Sequence, residues 1–185
     1  MKKTILAFAA ALAAGSVAFA QDKAPGATEQ SKPAERTEMA PWPVWLQFNS
    51  TENLDIAGLR LNIPHGVCDT VTGVDAGFVG SVRNMYGLQA NILRNNAIDT
   101  LAGVQIGVWN SAGVAELASF QFGLWNEAGA FSGAQVGAVN IAGTGEGFQL
   151  GLINRAESLH GYQVGVINVI RSANLKFMPI VNIGF

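Results

Sequence analysis

The sequence predicts an all-β protein, and within that class it favours a parallel β-solenoid of short coils. Glutamine recurs at spacings of 16, 16, 14, 14 and 14 residues, at Gln89, Gln105, Gln121, Gln135, Gln149 and Gln163. Apolar residues alternate with Gln and Gly around these positions, and a period of two is typical of strands. Self-similarity at a fixed period indicates a repeat architecture.

The repeating unit reads Gln-x-Gly-x-x-Asn. Alternation places Val104, Ile106 and Val108 on one face of a strand, with Asn110 in line behind them, while Gln105 points to the other face. We expect one strand in each unit and turns in the connecting segments, which are rich in Gly, Ser and charged residues. The repeated asparagines are Asn110, Asn126, Asn140, Asn154 and Asn168.

A solenoid is favoured because every unit keeps the same frame. Coils that stack in one orientation bring identical positions together, so the glutamines and the asparagines would form hydrogen-bonded ladders. Proline is absent between His65 and Met178, as expected of central coils between protected edges. The alternative is a small antiparallel outer-membrane β-barrel, favoured by the alternation that ends at Phe185 and by the scarcity of charge in the repeats.

Three segments are predicted along the chain. Residues 1–20 form a secretory signal peptide, with two lysines before a short apolar run and a small-residue cleavage pattern. Residues 21–43 form a flexible linker rich in Pro and Ala. Residues 44–185 form the β-repeat domain. The signal predicts export to the periplasm, the outer membrane or the cell surface.

Several stretches after Val44 resemble a family of exported bacterial surface-repeat proteins. The similarity rests on residues 58–62, on residues 71–75, on the Gln-x-Gly-x-x-Asn repeats and on residues 179–182. It implies an exported, envelope-associated repeat protein, and it supplies no activity, ligand or catalytic residue. The departures from the family pattern are Asn91 at a Gly position and the inserted pair Pro64-His65.

No catalytic, cofactor-binding or metal-binding residue is predicted. His65 and Cys68 have metal-like spacing, but a structural zinc site needs four ligands and the only other histidine, His160, is distant in sequence. A nucleophilic role for Cys68 lacks a third, orienting group. We expect the acidic residues of the connectors to be solvated turn residues, and a cation or sugar site is the alternative. These residues are Glu116, Glu127, Glu146 and Glu157.

Trp109 and Trp125 share one offset in the repeat, where other units have Leu93, Val139, Ile153 and Ile167. We expect the two indoles to fill one corner of the coil, because repeated apolar residues usually pack. A surface contact through the two indoles is the alternative.

The sequence therefore predicts a non-enzymatic protein of the cell envelope or cell surface. We expect its Gln and Gly face to be a flat surface for self-association or for an envelope partner. Association with the outer membrane, as a pore or envelope protein, accompanies the barrel alternative. The formal net charge of −2 argues against nucleic acid as a partner.

Overall fold

The computed structural model describes residues 38–39, 43–51 and 54–185. The predicted signal peptide, residues 1–20, and most of the predicted linker, residues 21–43, lie outside the described residues. The described chain is a parallel β-solenoid of about eight turns, so the favoured fold class is confirmed. Within the described part, no helix is long and apolar enough to cross a membrane.

Six strands follow one another in the described part of the chain. The two longest each wind through several coils without a break, because each coil bends while the backbone keeps pairing with the coil beside it. Glu38–Met39 pairs with the start of the third strand, although it falls in the predicted linker. The strands are β1 (Glu38–Met39), β2 (Val44–Thr51), β3 (Leu54–Ile106), β4 (Trp109–Leu150), β5 (Ile153–Ile170) and β6 (Phe177–Gly184).

Successive coils pair in parallel and in the register of the repeat. Gln105 lies opposite Gln121, and the two chains run in the same direction. Gln149 lies opposite Gln163 in the same way. The antiparallel alternative is therefore wrong for the repeats. The repeats share the frame Gln-x-Gly-x-x-Asn, and only coils that stack in one orientation keep each residue type in one column.

One bend is made by a glycine with positive φ in most of the described coils, whereas the coil of Gln121 has Ser119 at that place. Gly147 has φ 131°, and a Cβ placed on it would lie 2.0 Å from the carbonyl oxygen of Gly133 in the preceding coil. No side chain fits in that gap, and only glycine adopts this φ without strain. The corner therefore requires glycine in each of the coils that share this geometry.

The connecting segments are strands, and the prediction that they are turns was wrong. Thr144 pairs with Ser158, and Gly145 pairs with Leu159, in the parallel ladder between β4 and β5. The small residues serve packing. A Cβ on Gly145 would lie 2.3 Å from the Phe131 ring, so the absence of a side chain at Gly145 makes room for that ring. Each coil thus contributes a strand to two sides of the solenoid.

The interior combines a polar lining with a narrow apolar one. The ladder glutamines line the first side of the coil and are buried. The rest of the interior is apolar, with large buried side chains such as Leu101, Phe131 and Leu159 and a column of buried small ones. That column consists of Ala97, Ala112, Ala128, Ala142 and Ala156.

The last strand closes the stack differently from the repeats. β6 pairs with β5 antiparallel, which places Asn182 beside Gln163 and Val181 beside Val164. Pro179 lies in this terminal strand, where a residue without an N–H group blunts the free edge.

Candidate interaction surface

The six glutamines form a ladder inside the coil. Each one after Gln89 donates through Nε2 to Oε1 of the glutamine one coil earlier, at 2.6 to 2.8 Å. Gln121 donates its second hydrogen to the backbone carbonyl of Glu127, and Gln105 donates to that of Ser111. Buried amides are stable only when their donors and acceptors are paired, and the ladder pairs them.

The asparagines form a second ladder whose polarity is opposite. Asn110 Nδ2 donates to Asn126 Oδ1 in the next coil at 2.8 Å, and the same bond continues from Asn126 to Asn140. Glutamine donors point to the amino-terminal end of the stack, whereas asparagine donors point to the carboxy-terminal end. Asn110 is buried, as Gln105 is. The expectation that Asn110 lies on the same face as Val108 was therefore wrong. The chain bends between residues 108 and 110, and this bend turns Asn110 inwards.

The Gln and Gly face is not a surface, and the prediction that it offers one to a partner was wrong. Gln105, Gln121, Gln135, Gln149 and Gln163 are at most 1 % exposed. A Cβ placed on Gly123 would lie 2.2 Å from the backbone oxygen of Gly107, so no partner can approach there. This side of the strand faces the interior because its amides pair with one another and need no water.

Two charged residues continue the glutamine column in the first coils. Arg60 and Asp75 are both fully buried, and two parallel bonds of 2.8 Å join the guanidinium to the carboxylate. Asp75 also accepts bonds from Asn62, Gln89 and Asn91. Burial acts to lower the pKa of Arg60, but the hydrogen bonds and charge of Asp75 outweigh it and raise that pKa above its ordinary value.

Cys68 belongs to the same buried cluster. The thiol is 3 % exposed and lies 3.0 Å from Nη1 of Arg60. Burial raises the pKa of the Cys68 thiol to about 12, and the lowering effect of Arg60 does not cancel this. The thiolate is the reactive form of cysteine, so this position does not provide a nucleophile near neutral pH.

We expect Cys68 to resist thiol reagents at pH 8 in the folded protein and to react at once in denaturant. The ordinary pKa of 9.0 applies to the unfolded chain. Because the folded pKa is raised, the stabilisation linked to the neutral thiol is complete below pH 9 and is lost as the pH rises towards 12. A colorimetric thiol assay with and without denaturant is the measurement. Rapid labelling of the folded protein would contradict the burial.

The apolar residues of the repeat lie outside the coil. We call this surface the outer apolar face, and it consists of the residues directly before and after each ladder glutamine and those three and four positions after it, together with Arg94, which pairs with Trp109 in the last of these columns. Ile106, Leu124, Leu152 and Val166 are all exposed members, and Leu124 is 63 % exposed. The face extends to Phe48 in the first coil described, because β2 pairs in register with β3.

The outer apolar face has almost no charge. Between residues 88 and 167 it carries one charged side chain, Arg94. Arg94 lies opposite Trp109, and its guanidinium carbon is 5.7 Å from the centre of the indole ring. Contiguous apolar patches of more than about 300–600 Å² are rare on soluble monomers and mark interaction sites. The breadth of this face makes it the main candidate for function.

Trp109 and Trp125 belong to this face. Their ring centroids are 5.5 Å apart, and Trp109 is 42 % exposed. The two indoles lie outside the coil and do not fill its interior, and a surface contact through them stays a prediction. In the coil of Gln89, the column of the two tryptophans is occupied by Arg94 and not by Leu93. That coil contains 16 residues, and the register at this point is shifted by one residue.

Charged residues gather on the other side of the coil. Arg83 pairs with Asp69 one coil earlier at 3.1 Å and with Asp99 one coil later at 3.7 Å. Arg171 similarly pairs with Glu157. The solenoid therefore has one apolar side and one charged side, as a surface helix has two faces.

The four acidic residues of the connectors do not converge. Glu116 and Glu146 line one open hollow of about 580 Å³ together with His160. Glu127 and Glu157 do not line it. All four lie in strands, not turns. In the described part of the chain, no three His, Cys, Asp or Glu side chains are placed to hold a metal ion.

Comparisons with models of protein families, with curated proteins and with solved structures find no match. The geometry of the molecule is therefore the basis for its functional interpretation.

Proposed function

We propose that this chain is a non-enzymatic protein of the bacterial cell envelope or cell surface, and that it acts by binding through its outer apolar face. The observation that carries the proposal is the breadth of that face, which runs from Phe48 to Val166 with one charged residue in the repeats. A surface of this kind costs free energy while it stays in water, so a binding partner that covers it gains that free energy.

Two further features support this proposal. The first twenty residues have the pattern of a secretory signal, which predicts a location outside the cytoplasm. The polar side chains of the repeat are engaged with one another in the interior, as in the ladders of Gln121 and Asn126. They serve the fold and leave the apolar side chains as the groups that a partner meets.

The test is the location of the full chain and of one variant in a Gram-negative bacterium. We expect the wild-type chain to be processed after Ala20 and recovered with the envelope fraction. Leu124→Lys places a charge on the outer apolar face, so we expect it to reduce envelope retention about tenfold, since about 1.4 kcal/mol corresponds to that factor. The measurement is a quantitative blot of soluble and envelope fractions.

Val114→Lys is the matched control. Val114 is 43 % exposed but lies on the other side of the coil, opposite Thr100 in the parallel ladder. This variant adds the same charge without touching the outer apolar face, so retention should not change. An unprocessed chain in the cytoplasm, or equal retention of Leu124→Lys and wild type, would contradict the proposed function.

A further inference from the structure

We propose that the outer apolar face binds a second copy of this chain, with the two solenoid axes antiparallel. This inference rests on the proposed function, because it names the partner of the same face. It depends on the area of that face, on its relief and on the place of its one charge.

The area suits a stable pair of protein subunits. The antiparallel pair buries eight rows of strands, from the coil of Asp75 to β6, which at about 4.8 Å per row give a length of about 38 Å, and six residues at about 3.3 Å give a width of about 20 Å. The resulting area of about 750 Å² is close to the roughly 800 Å² that each partner buries in a stable interface. Two flat sheets pack face to face in the same way in a β-sandwich.

The relief of the face is self-complementary. The coil of Gln121 carries bulky residues, among them Phe120 and Leu124, and forms a ridge. The coil of Gln135 carries Ala134 and Ala138 at the equivalent positions and forms a groove. Both alanines are half-buried, whereas Leu124 is exposed. Ridge and groove are neighbours, about 4.8 Å apart.

A two-fold axis between these two coils, parallel to the strands, brings the ridge of one copy into the groove of the other. Rotation about this axis does not change a residue's position along the strand direction, so Leu124 of one copy meets Ala138 of the other. The coil of Gln105 then faces that of Gln149, and the coil of Gln89 faces that of Gln163. A two-fold axis along the solenoid would instead place ridge on ridge. The antiparallel arrangement is the one that the relief fits.

The one charge does not obstruct this arrangement. Arg94 lies in the outermost column of the face, opposite Trp109, and is exposed. In the antiparallel pair this column lies at the margin of the interface, where a guanidinium keeps its contact with water. Charge at the rim of an interface is normal, whereas unpaired charge at its centre is costly.

Oligomeric state and one unusual variant test the proposal. We expect the exported product of the full chain to be a dimer by light scattering after gel filtration, and Leu124→Lys to weaken it at least tenfold. Ala138→Trp adds apolar area but fills the groove, so it should also weaken the dimer at least tenfold. Val114→Lys should leave the dimer intact. A dimer that tolerates Ala138→Trp would overturn the proposed fit.

Cysteine cross-linking tests the direction of the pair. Leu124→Cys lies beside the two-fold axis and should be joined to its copy by a short bis-maleimide reagent, because packed faces about 10 Å apart leave the two thiols too far apart for a disulfide. Phe48→Cys lies in a coil that overhangs in the antiparallel pair, so the reagent should not join it to its copy. Native Cys68 is buried and does not interfere. Cross-linking through Phe48→Cys would overturn the antiparallel arrangement.

The outcomes separate this inference from the proposed function. A product that stays monomeric at every accessible concentration overturns the second copy as the partner. If that monomer cosediments with vesicles of phosphatidylethanolamine and phosphatidylglycerol, and Leu124→Lys abolishes this, the face binds lipid and the proposed function stands. A monomer that binds no vesicles, and whose envelope retention does not depend on Leu124, overturns both.

Discussion

Asp75→Gln is expected to destabilise the domain by about 3–5 kcal/mol, the usual cost of leaving one partner of a buried ion pair alone. Arg60 would keep its charge in the interior with no carboxylate beside it. Asp75 accepts two bonds from Arg60 and one each from Asn62, Gln89 and Asn91, so several donors lose an ionised acceptor together. Denaturant unfolding followed by circular dichroism measures the loss.

The double variant Arg60→Gln with Asp75→Gln is expected to recover most of that loss. Both residues occupy the ladder column, so two glutamines would extend the ladder beyond Gln89 and remove both buried charges. Asp69→Asn with Arg83→Gln is the control, because this pair also spans adjacent coils but is exposed. Its loss should be at most about 1 kcal/mol. A double variant no more stable than Asp75→Gln would show that the charges have a role that glutamine cannot replace.

Gln121→Met is expected to destabilise the domain by about 4 kcal/mol, because three buried partners lose their bonds at about 1–3 kcal/mol each. Gln121 donates to Gln105 and to the carbonyl of Glu127, and it accepts from Gln135. Methionine has nearly the same volume, so the loss reports hydrogen bonding and not a cavity. The midpoint of denaturant unfolding measures it.

Gln163→Met is the matched control at the end of the ladder. Its Oε1 has no hydrogen-bond partner in the described part of the chain, so one bond fewer is lost. We expect a loss smaller by about 1 kcal/mol. Leu46→Gln, on the outer apolar face, should change stability by about 0.5 kcal/mol or less. A large loss from Leu46→Gln with little from Gln121→Met would reverse the assignment of inside and outside.

The frame of the repeat was enough to predict the parallel solenoid and the register of its ladders. Identical positions at one offset require stacking in one orientation, and the column from Gln105 to Gln163 obeys this. Arg60 and Asp75 follow the same frame, since each stands two residues after a glycine, as Gln89 does. These features follow from periodicity, which a single sequence displays directly.

Periodicity did not determine which side of the strand faces inwards. Alternation places Gln121 on one side of the strand and Phe122 and Leu124 on the other, but it does not tell which side is buried. The usual rule puts leucine inside, and it holds for Leu101 and Leu159. It fails for Leu124 because the inner side of that strand is occupied by glutamines, whose amides pair with one another. The signal that could have revealed this is Gly123, on the same side of the strand as Gln121, because a side chain there would clash with Gly107 and Asn110.

The connectors were misassigned because glycine and serine have more than one use. Gly145 accommodates the Phe131 ring, and Ser158 pairs in the parallel ladder, so neither marks a turn. The position of Arg94 beside Trp109 was missed for a different reason. The coil of Gln89 has extra residues, and the shift they cause depends on which residue bulges, which periodicity does not specify.

Exchange of the glutamine side-chain amide hydrogens with solvent shows whether the glutamines are inside and the apolar residues outside. It is best measured by NMR on Leu124→Lys, in which pairing of copies cannot protect them. We expect the Nε2 hydrogens of Gln105, Gln121 and Gln135 to exchange at least a hundredfold more slowly than those of exposed Asn174, as two buried bonds of about 1.4 kcal/mol each imply. Equal exchange rates would contradict the account, because they would place the glutamines in water.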